Sequence, residues 1–130
     1  MGGVAAHAGL FASAAQIGAF ARAWWQAPDI GYLPESLREK AWSAPAPGGT
    51  HVLGWDTVSA QDSSAGVKLS RSSHGHLGFT GTSLWVDPER AISVVFLCNR
   101  VHPSREGPEA IRRFRPLLHD AVVDFIDGVQ

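Results

Sequence analysis

Chemically capable side chains are concentrated in residues 73–83. This segment holds His74 and His76, three glycines and four hydroxyl side chains. Imidazole can donate or relay a proton near neutral pH. Glycine inside a strand weakens it and marks a bulge, a bend or the close approach of a ligand. The segment therefore has two interpretations: a twisted strand with a bulge at Gly81, or a substrate-binding strand whose free N–H groups line a pocket.

Metal binding is an alternative chemistry for the two histidines. Residues two apart on a strand share a face, so His74 and His76 could be ligands, with His7 or His102 as a third. The chain has no cysteine cluster and no His-Glu-x-x-His helix, and lone histidine pairs are common without metal. We therefore expect no metal and no cofactor. The single cysteine, Cys98, excludes an internal disulfide and is expected to be an inert core thiol.

Three helices are predicted to flank the segment. Ser13 and Gln16 fit a capping box at the start of a helix that runs to about Gln26 and ends at Pro28. Its buried stripe is expected to consist of Ile17, Phe20, Ala21 and Trp24. A second helix is predicted over Pro34–Trp42, followed by a proline- and glycine-rich loop over residues 43–49, and a third over Glu109–Asp127 with a kink or a new first turn at Pro116.

Between the second and third helices the apolar period changes to two. This pattern predicts strands over His51–Val58, His76–Thr80, Thr82–Val86 and Ala91–Cys98, with a type I turn over Asp87–Arg90. The last strand is apolar on both faces apart from Ser93, so both faces must be covered. The order predicts an α+β fold, in which an antiparallel sheet of three to four strands is flanked by helices.

Length and composition restrict the class of protein. With 130 residues, 45% of them hydrophobic and 18% charged, the chain suits one globular domain with a core. The net charge of −1 gives no general attraction to nucleic acid or to acidic membranes, and no apolar run predicts a membrane span. The arginines of the last helix are therefore expected to form a solvated face: Arg112, Arg113 and Arg115. The five tryptophans are expected to pack in the core rather than form a ligand platform: Trp24, Trp25, Trp42, Trp55 and Trp85.

The segment that begins His76-Leu77-Gly78 resembles a known active-site motif. With the Phe-Thr-Gly-Thr-Ser-Leu-Trp-Val-Asp-Pro that follows, it is similar to the third motif of the serine β-lactamase and penicillin-binding-protein-like hydrolases. The likeness is greatest to the class C-related branch, which includes esterases and D-aminopeptidase-like proteins. Residues 2–11, 53–56 and 94–103 resemble the same branch in the same order, so the likeness covers nearly the whole chain.

The resemblance implies roles for individual residues. His76 takes the place of the family's lysine, Gly78 that of its glycine, and the Phe79 N–H forms half of the oxyanion hole. The neighbouring Leu77, Thr80 and Gly81 are implied to contact substrate. Leu77 replaces the usual threonine, so a hydroxyl is lost. His76 is only partly charged near neutral pH, which weakens recognition of a substrate carboxylate but allows proton transfer.

Two of the family's motifs are missing from these residues. A Ser-x-x-Lys motif needs serine three residues before Lys40 or Lys68, and those positions are Leu37 and Ala65. A Tyr-x-Asn or Ser-x-Asn motif fails in the same way, because Leu97 precedes the only asparagine by two residues. Without nucleophile and base, the chain cannot run the family's acylation by itself. Residues 1–130 are therefore expected to be the C-terminal part of a larger hydrolase domain.

The missing strands of such a domain would leave an open sheet edge. In the family, strands near the N-terminus pair beside the last strand, which is Ala91–Cys98 in this chain. A long apolar edge invites pairing with another chain. We expect the isolated chain to self-associate through that edge or to need a partner that covers it.

Two classes of function stay open. The chain is either a piece of a serine hydrolase that acts by acyl transfer on an amide or ester, or a non-catalytic binding module derived from the same fold. A β-lactam, a D-amino-acid peptide and a carboxylic ester are all compatible as substrates. The first residues lack the basic start and apolar stretch of a signal peptide. That favours the cytoplasm for this chain, while a longer precursor could be periplasmic or secreted.

Overall fold

One antiparallel sheet and three helices are found in the part of the chain that the computed structural model describes, which is residues 2–4, 7–26, 34–43 and 49–129. The helices are α1 (Ala14–Gln26), α2 (Glu35–Ser43) and α3 (Glu109–Val129). The strands are β1 (His51–Val52), β2 (Trp55–Thr57), β3 (His74–Leu77), β4 (Ser83–Asp87) and β5 (Ile92–Phe96). They form a five-stranded sheet in chain order. The predicted α+β class with helices beside an antiparallel sheet is confirmed.

The strand count exceeds the predicted three to four. The single strand expected over His51–Val58 is divided into β1 and β2, which pair with each other through Val52 and Trp55. Gly54 lies between them with a φ of +79°, a backbone conformation that glycine adopts without strain. The sequence predicts that Gly54 weakens a strand. In the structure it forms the turn of a short hairpin instead.

The segment around Gly81 is a hairpin loop rather than a bulged strand. β3 ends at Leu77, which pairs with Ser83 at the start of β4. Residues 78–82, called the 78–82 loop below, reverse the chain between them. The Gly78 N–H donates to the Thr82 carbonyl at 2.8 Å, and the Gly81 N–H donates to the Gly78 carbonyl at 3.0 Å. The two strands predicted on either side of Gly81 are thus the arms of one hairpin.

The helices begin close to their predicted positions. The capping box of α1 is confirmed: the Ser13 N–H donates to Gln16 Oε1 at 2.9 Å, and the Gln16 N–H donates to Ser13 Oγ at 3.3 Å. Helix α3 continues through Pro116 to Val129. No helix among the described residues is long and apolar enough to cross a bilayer. Pro28 and the loop residues 44–48 lie outside the described ranges.

Alternate residues of β4 supply two cores, one on each face of the sheet. Val86 and its β4 neighbour Leu84 belong to one cluster. The other members come from α1, α2 and the first hairpin: Ala21, Trp24, Trp25, Trp42, Val52 and Trp55. Trp85 points to the opposite face and packs with Ala65, Leu69 and Val123 of α3. The prediction that the tryptophans pack in the core is confirmed.

A buried carboxylate fixes the turn between β4 and β5. Asp87 is completely buried, and its Oδ1 accepts hydrogen bonds from the N–H groups of Glu89 and Arg90, both at 3.1 Å. Its Oδ2 accepts a third bond from the Ser70 N–H at 2.8 Å. The predicted turn at Asp87 is therefore tied to the chain that precedes β3.

Strand β5 forms one edge of the sheet among the described residues. Helix α1 lies against it. On α3, the ring of Phe114 contacts the ring of Phe96, with centroids 5.4 Å apart. Helices therefore cover this apolar strand, as expected. Its outer edge has no neighbouring strand in the described chain.

Candidate active-site loop

The residues assigned to the third motif lie along β3 and the 78–82 loop. His76 is exposed on β3 and pairs with Leu84, and Leu77 is partly buried. At the loop, Phe79 has 67% of its surface exposed. Thr80 is also exposed, whereas Gly81 is buried. One hairpin therefore gathers all six residues that the sequence singled out, with both polar side chains accessible to solvent.

Close packing explains the two glycines of the loop. A Cβ atom on Gly78 would lie 2.0 Å from Thr82 Oγ1. A Cβ atom on Gly81 would lie 2.4 Å from Cys98 Sγ, and Gly81 has a φ of +103°. Cys98 is half-buried beyond the end of β5 rather than in the core, and its thiol lies 3.5 Å from the Thr80 carbonyl oxygen. The expected core position of this thiol is therefore wrong: it lies beneath the loop.

Arg115 of α3 holds the loop from its buried side. Its Nε donates to the Gly81 carbonyl at 3.0 Å, and its Nη2 donates to the carbonyls of Gly78 and Thr82 at 2.8 Å and 2.9 Å. Burial, and to a smaller extent the positive charge of Arg100, lower the pKa of this guanidinium. One side chain thus binds three carbonyl groups of the loop. The Gly81 carbonyl has no backbone donor among the described residues, while those of Gly78 and Thr82 also accept the N–H groups of Gly81 and Gly78.

The expected solvated arginine face of α3 is wrong for Arg115. Arg112 and Arg113 are exposed, but Arg115 has only 6% of its surface exposed. A signal was present in the sequence, because Arg115 follows Ile111 by four residues and precedes Leu118 by three. Those spacings place it on the apolar side of the helix. The low net charge of the chain gave no information about a single buried arginine.

Arg100, after β5, holds the outer side of the loop. Its Nε donates to the Phe79 carbonyl at 3.0 Å, and its Nη1 donates to the Arg105 carbonyl at 3.0 Å. Its guanidinium lies 4.8 Å from the centroid of the Phe79 ring. The Arg100 N–H also donates to the Thr80 carbonyl at 2.9 Å. No local sequence pattern marks this residue, because the loop groups that it binds lie about twenty positions earlier in the chain.

The Phe79 N–H has no hydrogen-bond partner in the described part of the chain. The N–H groups on either side of it in the loop, those of Gly78 and Gly81, are both used internally. Phe79 belongs to neither strand, so no ladder bond uses its N–H. A fixed backbone with a free donor can stabilise negative charge on an oxygen atom placed nearby.

A cavity of about 320 Å³ adjoins the 78–82 loop. Its walls include Gly78 and Phe79 of the loop. Four arginines also line it: Arg100, Arg105, Arg112 and Arg115. No carboxylate side chain is among the described residues that line it. We call this space the arginine cavity. It concentrates positive charge beside the loop.

His74 takes part in packing. Its ring stacks on Trp42, with centroids 4.3 Å apart and planes 3° from parallel, and its Nε2 lies 3.2 Å from the Trp42 carbonyl oxygen. Burial lowers the pKa of His74. Within the described ranges, no three histidine, cysteine, aspartate or glutamate residues gather where they could hold a metal.

A serine–histidine pair lies in the core. His119 Nδ1 lies 2.9 Å from the Ser64 carbonyl oxygen, so Nδ1 must carry the proton and donate to it. The unprotonated Nε2 then accepts from the Ser83 hydroxyl at 3.0 Å. Ser83 and His119 have 3% and 0% of their surfaces exposed. No substrate can reach this pair as folded, so its role is to join α3, β4 and the chain before β3.

The antiparallel sheet with helices on both faces is the architecture of a β-lactamase fold fragment. A family model described as Beta-lactamase matches residues 1–117, and the chain belongs to this family. A crystal structure of a β-lactamase from Mycobacterium bovis shares the fold with a TM-score of 0.69, at 21% sequence identity. That likeness covers 85% of this chain and 43% of the M. bovis chain.

Curated relatives match over most of this chain. A Salmonella gallinarum protein named "Putative D-alanyl-D-alanine carboxypeptidase" is 30% identical over 115 residues, and an Escherichia coli K12 protein of the same name is 28% identical. Each alignment covers 84% of this chain but 26% of the relative. The chain therefore spans about a quarter of the length of these relatives.

Proposed function

We propose that this chain supplies the third-motif strand and half of the oxyanion hole of a serine hydrolase that acts by acyl transfer on an amide or ester. The nucleophile and its base come from chain outside these residues, since no Ser-x-x-Lys sequence occurs within them. The alternative, a non-catalytic binding module, has no observation in its favour.

The free Phe79 N–H carries this proposal. A serine that attacks a carbonyl group generates a negatively charged oxygen, which needs preorganised donors. The bonds that Arg100 and Arg115 make to the loop carbonyls fix the backbone on either side of this N–H before substrate arrives. Preorganisation of that kind stabilises the transition state without a cost of reorganisation during the reaction.

His76 is proposed to act on the substrate from the adjoining strand. Its side chain is exposed two residues before Gly78, in the position where the family has lysine. A neutral imidazole can donate a hydrogen bond or relay a proton, and a protonated one can attract a carboxylate. Leu77, Thr80 and Gly81 are proposed to shape the substrate path around it.

A peptide is the proposed substrate class. The curated relatives carry the name of a carboxypeptidase for D-alanyl-D-alanine, and they share the region that includes this loop. An amide bond before a C-terminal D-amino acid is therefore the first substrate to test, ahead of a β-lactam or a carboxylic ester.

Removal of the Phe79 N–H tests the proposed oxyanion hole. The variant replaces the Phe79 amide by an ester through incorporation of the matching hydroxy acid, in a protein that unites this chain with a segment bearing Ser-x-x-Lys. We expect kcat on a D-alanyl-D-alanine peptide to fall by about 100-fold or more, because one oxyanion donor is lost. Phe79→Leu keeps the N–H and is the matched control, for which a much smaller loss of kcat is expected.

Three outcomes would contradict the proposal. They are equal kcat in the ester variant and the parent, no turnover in the united protein, or labelling of the isolated chain by a fluorescent penicillin. The first refutes the role of Phe79 alone. The second favours the non-catalytic module, and the third requires a nucleophile within these residues.

Self-association through β5 is the proposed property of the isolated chain. The edge strand carries unpaired backbone groups on its outer side within the described chain. Gel filtration with light scattering is expected to give a mass above that of one chain. Addition of a segment that supplies the neighbouring strand should lower this mass to that of one chain plus the segment. A stable monomer with a single cooperative melt would refute this prediction.

A further inference from the structure

Helix α3 turns two polar side chains toward the sheet, one helical turn apart. Arg115 binds three carbonyls of the 78–82 loop, and His119, four residues later, has none of its surface exposed. Residues four apart on a helix lie on the same face. One face of α3 therefore carries both the support of the loop and a buried titratable group that the proposed reaction does not use.

Ser83 joins His119 to the end of the loop. The Ser83 hydroxyl donates to His119 Nε2 at 3.0 Å, and Ser83 directly follows Thr82 as the first residue of β4. The Thr82 carbonyl accepts from Arg115 Nη2 at 2.9 Å and from the Gly78 N–H at 2.8 Å. The bond between serine and histidine thus fixes the end of the loop to the helix that supplies the arginine.

The hydrogen bonds of His119 determine where it takes up a proton. Its Nδ1 already carries one and donates it to the Ser64 carbonyl at 2.9 Å, so only Nε2 is left to be protonated. Protonation there places an N–H against the Ser83 hydroxyl, which must turn, so that its own proton loses the imidazole as acceptor. A second positive charge also appears one turn from the Arg115 guanidinium.

Neutral groups face the imidazole from the sheet and from the segment before β3. β4 contributes the Ser83 hydroxyl and the Trp85 ring, whose centroid lies 6.4 Å from that of the imidazole. The segment before β3 contributes the Ser64 carbonyl, while its Lys68 forms an ion pair with Asp124. A charge on the ring therefore has no counter-charge from these elements among the described residues, and its burial is unfavourable.

Charged groups act on His119 from its own helix. Burial is the main cause of the lowered pKa of His119, the positive charge of Arg115 lowers that pKa further, and the negative charge of Asp120 opposes the shift. Beyond the guanidinium, Cys98 and Arg100 act on Arg115 in their turn. The protonated imidazole and the arginine that holds the loop therefore repel each other.

We propose that His119 is a positioning residue for the proposed oxyanion hole: the neutral ring holds Ser83 and with it the 78–82 loop, and the protonated ring releases them. The loop is then ordered near neutral pH and loosens in acid before the chain unfolds. This inference rests on the proposed function above, because the loop supplies the Phe79 N–H.

Two substitutions of His119 separate its two hydrogen bonds. Glutamine presents an oxygen near the position of Nε2, asparagine presents an amide N–H near that of Nδ1, and neither titrates. His119→Gln thus keeps an acceptor for Ser83, whereas His119→Asn keeps only a donor to Ser64. In the 130-residue protein at about pH 8, we expect the Gly78 and Gly81 N–H groups to exchange with deuterium about tenfold faster in the asparagine variant than in the glutamine variant. Mass spectrometry with fragmentation at single residues measures this exchange.

Acid provides the sharper comparison. In the parent, loop exchange corrected for the intrinsic rate at each pH should become about tenfold faster between about pH 8 and about pH 5. The midpoint should lie below 6.5, because the folded pKa of His119 is lowered. In His119→Gln the loop should stay protected over the whole range, which ordinary destabilisation would not produce. His74→Gln is the matched control, because His74 also has a lowered pKa but stacks on Trp42, so its loop should loosen as in the parent.

Three results would overturn the proposal. The first is the same acid response of the loop in the parent and in His119→Gln. The second is equal loop exchange in the glutamine and asparagine variants. The third is exchange of the α1 N–H groups that rises together with that of the loop, because acid would then act only by unfolding the whole chain.

Failure of this proposal is distinguishable from failure of the proposed function. In an active united protein, kcat should fall in acid more steeply for the parent than for His119→Gln, with KM unchanged. Equal acid dependence of kcat in the two would refute the role of His119 and leave the catalytic proposal standing. Where the exchange results are as expected but the united protein shows no turnover, His119 still positions the loop and the catalytic proposal is refuted.

Discussion

Replacement of Arg115 by methionine is expected to lower the free energy of unfolding by about 3 kcal/mol or more. For a chain of 130 residues this corresponds to a decrease in Tm of roughly 10 °C or more. The total stability of a domain of this size is on the order of 5–15 kcal/mol, so the variant would lose a large share of it. Thermal unfolding followed by circular dichroism measures the effect.

The reason is the number of carbonyl groups that depend on one side chain. Arg115 donates to three carbonyls, and only 6% of its surface is exposed. Hydrogen bonds from a charged donor contribute about 1.5–3 kcal/mol each, although their contributions do not add fully. Methionine fills much of the same space but donates nothing. The Gly81 carbonyl then loses its donor, and the carbonyls of Gly78 and Thr82 keep only their bonds from the Gly81 and Gly78 N–H groups.

Two further variants separate this effect from a loss of charge or of helix propensity. Arg113→Met changes the same residue type on an exposed position of α3, so its Tm should stay close to that of the parent. Arg115→Lys keeps the charge but cannot reach three carbonyls from two different nitrogen positions, so an intermediate Tm is expected. A Tm for Arg115→Met equal to that of Arg113→Met would refute the role of Arg115 as the support of the loop.

Elements with a local cause could be predicted from the sequence. The capping box at Ser13, the turn at Asp87 and the three helices depend on residues within a few positions of each other, and all are found in the structure. The two turns at glycines are harder to predict from the sequence. Gly54 and Gly81 break a period-two pattern in the same way that a bulge does, and spacing alone does not distinguish a bulge from a hairpin turn.

The surroundings of the 78–82 loop could not be predicted in this way. Arg100 and Arg115 reach the loop from about twenty to thirty-seven positions away in the chain. No local sequence pattern predicts a contact over that distance. The net charge of the chain does not indicate it either, because it sums all charges regardless of position. The resemblance to a family indicated the residues that we propose to contact substrate, but it did not indicate the arginines that hold the loop or line the adjacent cavity.

The free energy of unfolding is expected to fall with decreasing pH below about pH 6.5, because burial disfavours the charged forms of the buried His119 and the half-buried His74. Burial lowers the pKa of His119, and it also lowers the pKa of His74. In the unfolded chain both titrate near 6.5. Below that pH the unfolded state binds more protons than the folded state, so stability rises with pH there and is lost as pH falls through the lower folded pKa values.

Each histidine can contribute at most about 1.4 kcal/mol per pH unit to the slope of the free energy of unfolding against pH. Urea unfolding at a series of pH values measures it. His119→Gln should reduce the slope, and the double variant with His74→Gln should reduce it further, since glutamine does not titrate. At pH 8, His119→Gln is also expected to cost about 1–3 kcal/mol, because the hydrogen bonds to Ser83 and Ser64 are disturbed.

Ser83→Ala separates the hydrogen bond from the titration. It removes the donor to His119 Nε2 and should cost about 1–2 kcal/mol at pH 8, while the imidazole stays buried and its contribution to the slope persists. A slope in the double histidine variant as steep as in the parent would show that other groups cause the acid sensitivity. A slope that persists in Ser83→Ala but is reduced in His119→Gln would show that burial of the imidazole, more than its bond to Ser83, makes this fold sensitive to acid.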